Sequence, residues 1–138
     1  MDHRLVATVA VALAAAAGCS SQPAALGGTT AKVTINGQST GDAHAVTCTQ
    51  TGWMWNIKTP DEAKGFTAFL DTGDDVTVQS VDFRDFGGFT GTFWEGRLGE
   101  AEVTGVGGKY TITGSADGSF TDNPSNAVTA TFRIEASC

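Results

Sequence analysis

The chain has 138 residues, 15 acidic and 8 basic, for a net charge of −7 at neutral pH, with 41% hydrophobic residues and 18 glycines. That length suits one domain able to bury a modest core. The acidic balance excludes nucleic acid and anionic lipid headgroups as electrostatic partners, because both reward basic patches and this chain has no basic cluster.

From Leu5 to Ala17 every residue except Thr8 is apolar, yet as a helix the stretch runs only about 20 Å against a hydrocarbon core of about 30 Å. It is too short to span comfortably. Arg4 and His3 precede it, partly offset by Asp2, and Ala16, Ala17 and Gly18 follow it. This is the layout of a secretory signal over residues 1–18, with an apolar signal helix and a small-residue cleavage site. Ala16-Ala17-Gly18-Cys19 resembles the lipobox of bacterial lipoproteins, although leucine is commoner where Ala16 stands. The resemblance implies a diacylglyceryl group on the Cys19 thiol, cleavage before Cys19, and acylation of the freed amino group. Two or three acyl chains anchor stably, where one binds only marginally. The plainer alternative is an ordinary cleavable signal followed by an incidental cysteine.

Residues 19–30 (CSSQPAALGGTT) are small, polar and glycine-bearing, which suits a flexible tether. From Ala31 to Cys138, short β-branched or aromatic runs alternate with Gly, Asn and Asp. The pattern predicts an all-β domain, a small antiparallel β-sandwich. In the first run, KVTING, Asn36-Gly37 is a type I′ hairpin signal, with little strand character after it until Ala45. HAVTCTQ follows, with Val46 and Cys48 on one face. His44 is the sole histidine after the signal, and Asp42, Ser39 and Thr40 nearby could be imagined as a hydrolytic set. Their spacing is unspecific, and a loop rich in Ser, Thr, Gly and Asp explains every residue. The reading is therefore non-enzymatic, with no catalytic residue and no cofactor.

In WMWNIK, Trp53, Trp55 and Ile57 share a parity, the pattern of a packed inner face. Asp61 and Glu62 after Pro60 suit a helix start, so residues 61–70 (DEAKGFTAFL) could hold one short helix of a turn or two, which Gly65 and Thr67 oppose. Val81 and Phe83 again share a face. The segment 82–96 (DFRDFGGFTGTFWEG) sets Phe83, Phe86, Phe89, Phe93 and Trp94 among glycines and acids. These rings either fill the core or form a platform that stacks on an envelope glycan or lines a lipid pocket. DTGDD at 71–75 and DGSFTDN at 117–123 gather oxygen ligands of the kind calcium takes, but neither has the EF-hand order and turn chemistry accounts for both. No metal site is expected. Gly107-Gly108-Lys109 is followed by Tyr110 and lacks the rest of a phosphate loop.

In the last run Val128, Ala130, Phe132, Ile134 and Ala136 share one side with Cys138. With Cys19 given to lipid, Cys48 and Cys138 remain, and an even remainder in an exported chain reads as a disulfide. Both sulfurs fall on core faces. Closing so long a loop stabilises by roughly 4 to 5 kcal/mol in the chain-entropy estimate, and by about 2 to 4 typically. A reactive or metal-binding role for these thiols is opposed by the single mature histidine and the absence of CxxC spacing.

AKVTINGQ, Val46-Thr47-Cys48, GKYTITGSADG at 108–118 and the terminal TFRIEASC together resemble the nineteen-kilodalton lipoprotein antigen family of mycobacteria. The resemblance covers nearly the whole mature domain, the lipobox and both remaining cysteines. It implies a lipid-anchored protein of the cell envelope, attached to the cell membrane by acyl chains on Cys19 and facing outward. It also implies recognition by the host lipopeptide receptor, Toll-like receptor 2, through acylated Cys19-Ser20-Ser21. The tether here has only Ser20, Ser21, Thr29 and Thr30 where the best-known member of the family carries a long Thr/Ser-rich linker, so O-glycosylation is not implied. The stretch from Trp53 to Arg97 is also more aromatic than the family pattern. The alternative function is an envelope binding module that holds a lipid or glycan through the 83–94 aromatics.

Overall fold

The computed structural model describes residues 29–138, so the signal segment, Cys19 and most of the tether lie outside the described residues. Eleven strands follow in order: β1 (Thr30–Ile35), β2 (Gln38–Ser39), β3 (His44–Ala45), β4 (Thr47–Thr51), β5 (Met54–Lys58) and β6 (Gly65–Asp71). They continue with β7 (Thr77–Phe86), β8 (Phe89–Trp94), β9 (Glu100–Val106), β10 (Lys109–Phe120) and β11 (Asn123–Ser137). All pair antiparallel in one sheet, in the order β2-β1-β11-β10-β8-β7-β6-β5-β4, with β3 on β1 and β9 on β10. The all-β, antiparallel fold expected from the alternating runs is the one observed.

The sheet folds over so that its two halves face each other across one core. Phe83 of β7 meets Phe132 of β11 edge to face, with ring centres 5.3 Å apart, and Trp55 of β5 lies 6.3 Å from Tyr110 of β10. The layers of the sandwich thus belong to a single hydrogen-bonded ladder. Its two ends are brought together by one stretch of chain. His44 and Ala45 pair with β1, whereas Thr47–Thr51 pair with β5. Val46 between them is buried and donates its N–H to the Thr29 carbonyl at 3.1 Å. A strand that switches partners in this way turns the corner between layers. The Cys48–Cys138 disulfide, with Cα atoms 5.9 Å apart, staples the same corner.

β8 and β9 lie one after the other along β10, β8 opposite Asp117–Phe120 and β9 opposite Lys109–Ser115. Residues 95–99 loop out between them. At Gly99 the chain returns with φ of 69° against the Ser115 carbonyl, where any Cβ would collide with that backbone. At the other side of the domain the β1–β2 hairpin turns through Asn36 (φ 52°) and Gly37 (φ 78°), the type I′ geometry that Asn-Gly favours.

Two local expectations are corrected. No helix forms in 61–70: Asp61 accepts hydrogen bonds from the Ala63 and Lys64 N–H groups at 2.8 and 3.3 Å, making a turn, and β6 begins at Gly65. The period-two burial of Phe66, Ala68 and Leu70 decided the outcome over the helix-start signal. Trp53, expected inward with Trp55 and Ile57, sits in the β4–β5 turn and is 68% exposed. Parity holds only where the chain is paired as a strand.

Candidate functional site

The five rings of the 83–94 segment separate into two sets. Phe83, Phe89 and Phe93 are at most 1% exposed and Phe86 is 7% exposed, so none of these four offers a face to a ligand. They form a cluster with Phe66 and Phe132, in which Phe66 and Phe86 meet edge to face at 5.5 Å. Of the two readings of these phenylalanines, core and platform, the core reading is the one observed for all four. The physical reason is a bulge between Phe83 and Phe86, where Asp85 takes a left-handed φ of 43°. Simple alternation would point Phe86 outward; the extra residue turns it in. Asp85 is held by a hydrogen bond from the Thr121 hydroxyl at 2.6 Å, and its own N–H donates to Thr90 Oγ1 at 2.9 Å.

Trp94 alone of the five faces outward, 52% exposed, with the Arg97 guanidinium 5.1 Å from its ring centre. It ends a rung that crosses the outer face through Thr49, Asn56, Phe69, Ser80 and Trp94. Phe69 on that rung is 38% exposed, and two strand intervals place it about 9.5 Å from Trp94. Small Ser80 lies between them. Asn56 Oδ1 is covered and lacks a hydrogen-bond partner among the described residues. Phe69 was not singled out by sequence, although its parity, opposite to Phe66, Ala68 and Leu70, marks it as outward.

The neighbouring outer rung is polar and closed upon itself. Asp82 accepts from Arg84 Nη1 at 2.9 Å and from the Thr92 hydroxyl at 3.1 Å, and Asp117 accepts from the Thr129 hydroxyl at 2.8 Å. Arg84 Nε donates to the Glu62 carbonyl at 2.7 Å. In the 71–75 turn, Asp71 Oδ1 accepts the Gly73 N–H at 2.8 Å. Among the described residues no three His, Cys, Asp or Glu side chains converge as metal ligands.

His44 Nε2 lies 3.0 Å from Thr40 Oγ1, within hydrogen-bond reach. The Thr40 hydroxyl donates its one proton to the Val33 carbonyl at 2.8 Å. The imidazole must then donate to Thr40, the reverse of what a general base does for a nucleophile. Its ring packs against Phe86 with centres 4.7 Å apart, so the pair closes a corner of the core. One surface depression of about 320 Å³ overlies Gly114, lined by Glu100, Glu102, Thr113 and Ser115, and carries no aromatic side chain.

The two cysteines left after Cys19 are joined, as their shared core-facing parity predicted. Ser137, next to Cys138, faces Thr30 at the start of β1, so the bond sits where the chain enters the fold. Cys19 itself lies outside the described residues.

Residues 24–138 match the sequence profile of the family described as Mycobacterium 19 kDa lipoprotein antigen. A protein named as a lipoprotein from Mycobacterium avium subsp. hominissuis is 39% identical over 141 residues, covering 100% of this chain and 97% of its own length. The lipoprotein LppE of Mycobacterium tuberculosis is 34% identical over 142 residues, with both chains fully covered. Lipoprotein LpqH of the same species is 34% identical over 108 residues, 78% of this chain and 68% of its own.

Proposed function

The chain belongs to the mycobacterial 19 kDa lipoprotein antigen family, and from that premise we propose that it is a non-enzymatic lipoprotein of the cell envelope. Its acyl anchor is on Cys19, its tether is residues 19–30, and its single β-domain faces outward. The observation that carries the reading is positional: a lipobox-like Cys19 stands ahead of a domain whose first strand begins at Thr30, beside the Cys48–Cys138 staple. An anchored protein is loaded through its tether. Here the load arrives at a strand paired on both sides, with Ser137 and Ala45.

Intact mass of the protein purified without reductant from its own membrane tests this directly. The expected chain begins at Cys19, heavier by two or three acyl groups and lighter by the two hydrogens of a disulfide. A chain starting elsewhere and unmodified overturns it. Recognition by the host lipopeptide receptor follows from the same terminus: Cys19→Ala should abolish the receptor response of reporter cells while leaving the domain folded. No nucleic acid is a partner.

A second reading, an envelope glycan held on the outer face, is favoured by one observation. Phe69 and Trp94 present ring surface on the same rung with small Ser80 between them, and sugar rings stack on such faces. Retention on immobilised cell-wall glycan, lost in Trp94→Ala, tests it; equal retention of both proteins removes it.

A further inference from the structure

Two of the most exposed apolar side chains lie on turns at the end of the domain where the chain enters. Trp53, 68% exposed, occupies the β4–β5 turn, and Val106, 79% exposed, closes β9. A continuous set of contacts links them around that end. Thr72 donates its N–H and hydroxyl to the Trp53 carbonyl at 2.8 and 3.0 Å, which brings the β6–β7 turn beside Trp53. Val76 at the end of that turn lies against Gly105, next to Val106. The Cys138 N–H donates to the Gly108 carbonyl at 2.8 Å, and Ser137 faces Thr30. Trp53, Val106, the disulfide and the start of β1 therefore share one end.

Thr29, whose carbonyl accepts the Val46 N–H, stands at that same end. The eleven residues from Cys19 to Thr29 span at most about 40 Å. The end bearing Trp53 and Val106 is thus held near whatever Cys19 is fixed to. A contact made across so short a linker is intramolecular, with effective concentrations in the millimolar range, so a small apolar patch suffices. Tryptophan is enriched at the bilayer–water boundary for its amphipathic ring.

We infer that this end of the domain docks on the lipid surface, with Trp53 and Val106 in the interface, so that the protein stands on the membrane instead of swinging from its tether. The inference rests on anchoring through Cys19. Asp74 and Asp75, exposed between the two apolar turns, oppose anionic headgroups, so docking is driven by the apolar pair and is weaker on anionic lipid at low salt. The far end, with the β1–β2, β7–β8 and β10–β11 turns, then points away from the membrane.

The acylated protein reconstituted in phosphatidylcholine vesicles tests this, with bromine atoms on the lipid acyl chains as quencher and flotation to confirm attachment. Wild type should be dimmed by brominated lipid more than Trp53→Phe, and Val106→Asp, which retains Trp53, should lose that difference. Both positions are exposed, so both variants should keep the disulfide and the unfolding midpoint. Equal quenching of wild type and Trp53→Phe on floating vesicles overturns the docking while leaving the anchor intact. A chain that does not float overturns both readings. A Trp53 blue shift that follows protein density and ignores brominated lipid assigns this end to a second copy of the chain, and also overturns the proposal.

Discussion

The far half of the domain and the half where the tether enters are held together by different means. In the far half, Phe66, Phe83, Phe86, Phe89 and Phe132 form one buried aromatic cluster. At the other end the facing aromatics, Trp55 and Tyr110, are only partly buried, and the Cys48–Cys138 bond joins the strands. Packing secures one end and a covalent bond the other. The difference follows from how each end is built: the far half turns through hairpins, whereas the other end must hold the first residues of β1, the last of β11 and the corner at Val46. Termini fray unless tied down.

Removing the packing should cost more than removing the bond. Phe83→Ala leaves a ring-sized hole that the four surrounding rings of Phe66, Phe86, Phe89 and Phe132 cannot fill, and is expected to cost about 3–5 kcal/mol, read as a fall in the urea midpoint at unchanged slope. A cost below 1 kcal/mol would mean that the far half is not the stabilising centre. The double substitution Cys48→Ser with Cys138→Ser should cost about 2–4 kcal/mol. Hydrogen exchange sharpens the contrast: in that variant, protection should fall first in β1, β4 and the end of β11, while β7 and β8 amides stay protected. Uniform loss would show one cooperative unit in place of two regimes.

Smaller effects probe single devices. Asp85→Ala removes the Thr121 hydrogen bond and puts a Cβ without a local polar partner in the left-handed region, for an expected cost of about 1–2 kcal/mol. Asp85→Gly should cost less, because the bulge needs the conformation more than the carboxylate. Trp94→Ala, on the outer face, should change stability by less than about 0.5 kcal/mol, so any loss of glycan retention in that variant reports binding and not unfolding.

Much of the fold was legible because its signals are local. Alternation in β11 put Ala130, Phe132, Ile134, Ala136 and Cys138 on one side before any partner was known, and Asn36-Gly37 marked its hairpin by backbone preference alone. The disulfide followed from parity and count. The site was less legible. An aromatic-rich segment reads the same whether its rings serve the core or a ligand, and the difference between Phe93 and Trp94, neighbours in sequence, is the face of the sheet on which each falls.

The sequence by itself determined the strand content, the pairing of Cys48 with Cys138 and the family to which the chain belongs, since short-range alternation, turn residues and thiol parity depend on neighbours along the chain. Only the tertiary structure decided that Phe86 turns inward, that Trp53 and Val106 share the end where β1 begins, and that Phe69 and Trp94 lie on one rung with Ser80 between them. A bulge at Asp85 reverses a parity that counting would preserve, and the meeting of distant turns depends on the switch of strand partner at Val46 that folds the sheet over. Both are properties of pairing between segments far apart in sequence, which periodicity along a single strand does not encode.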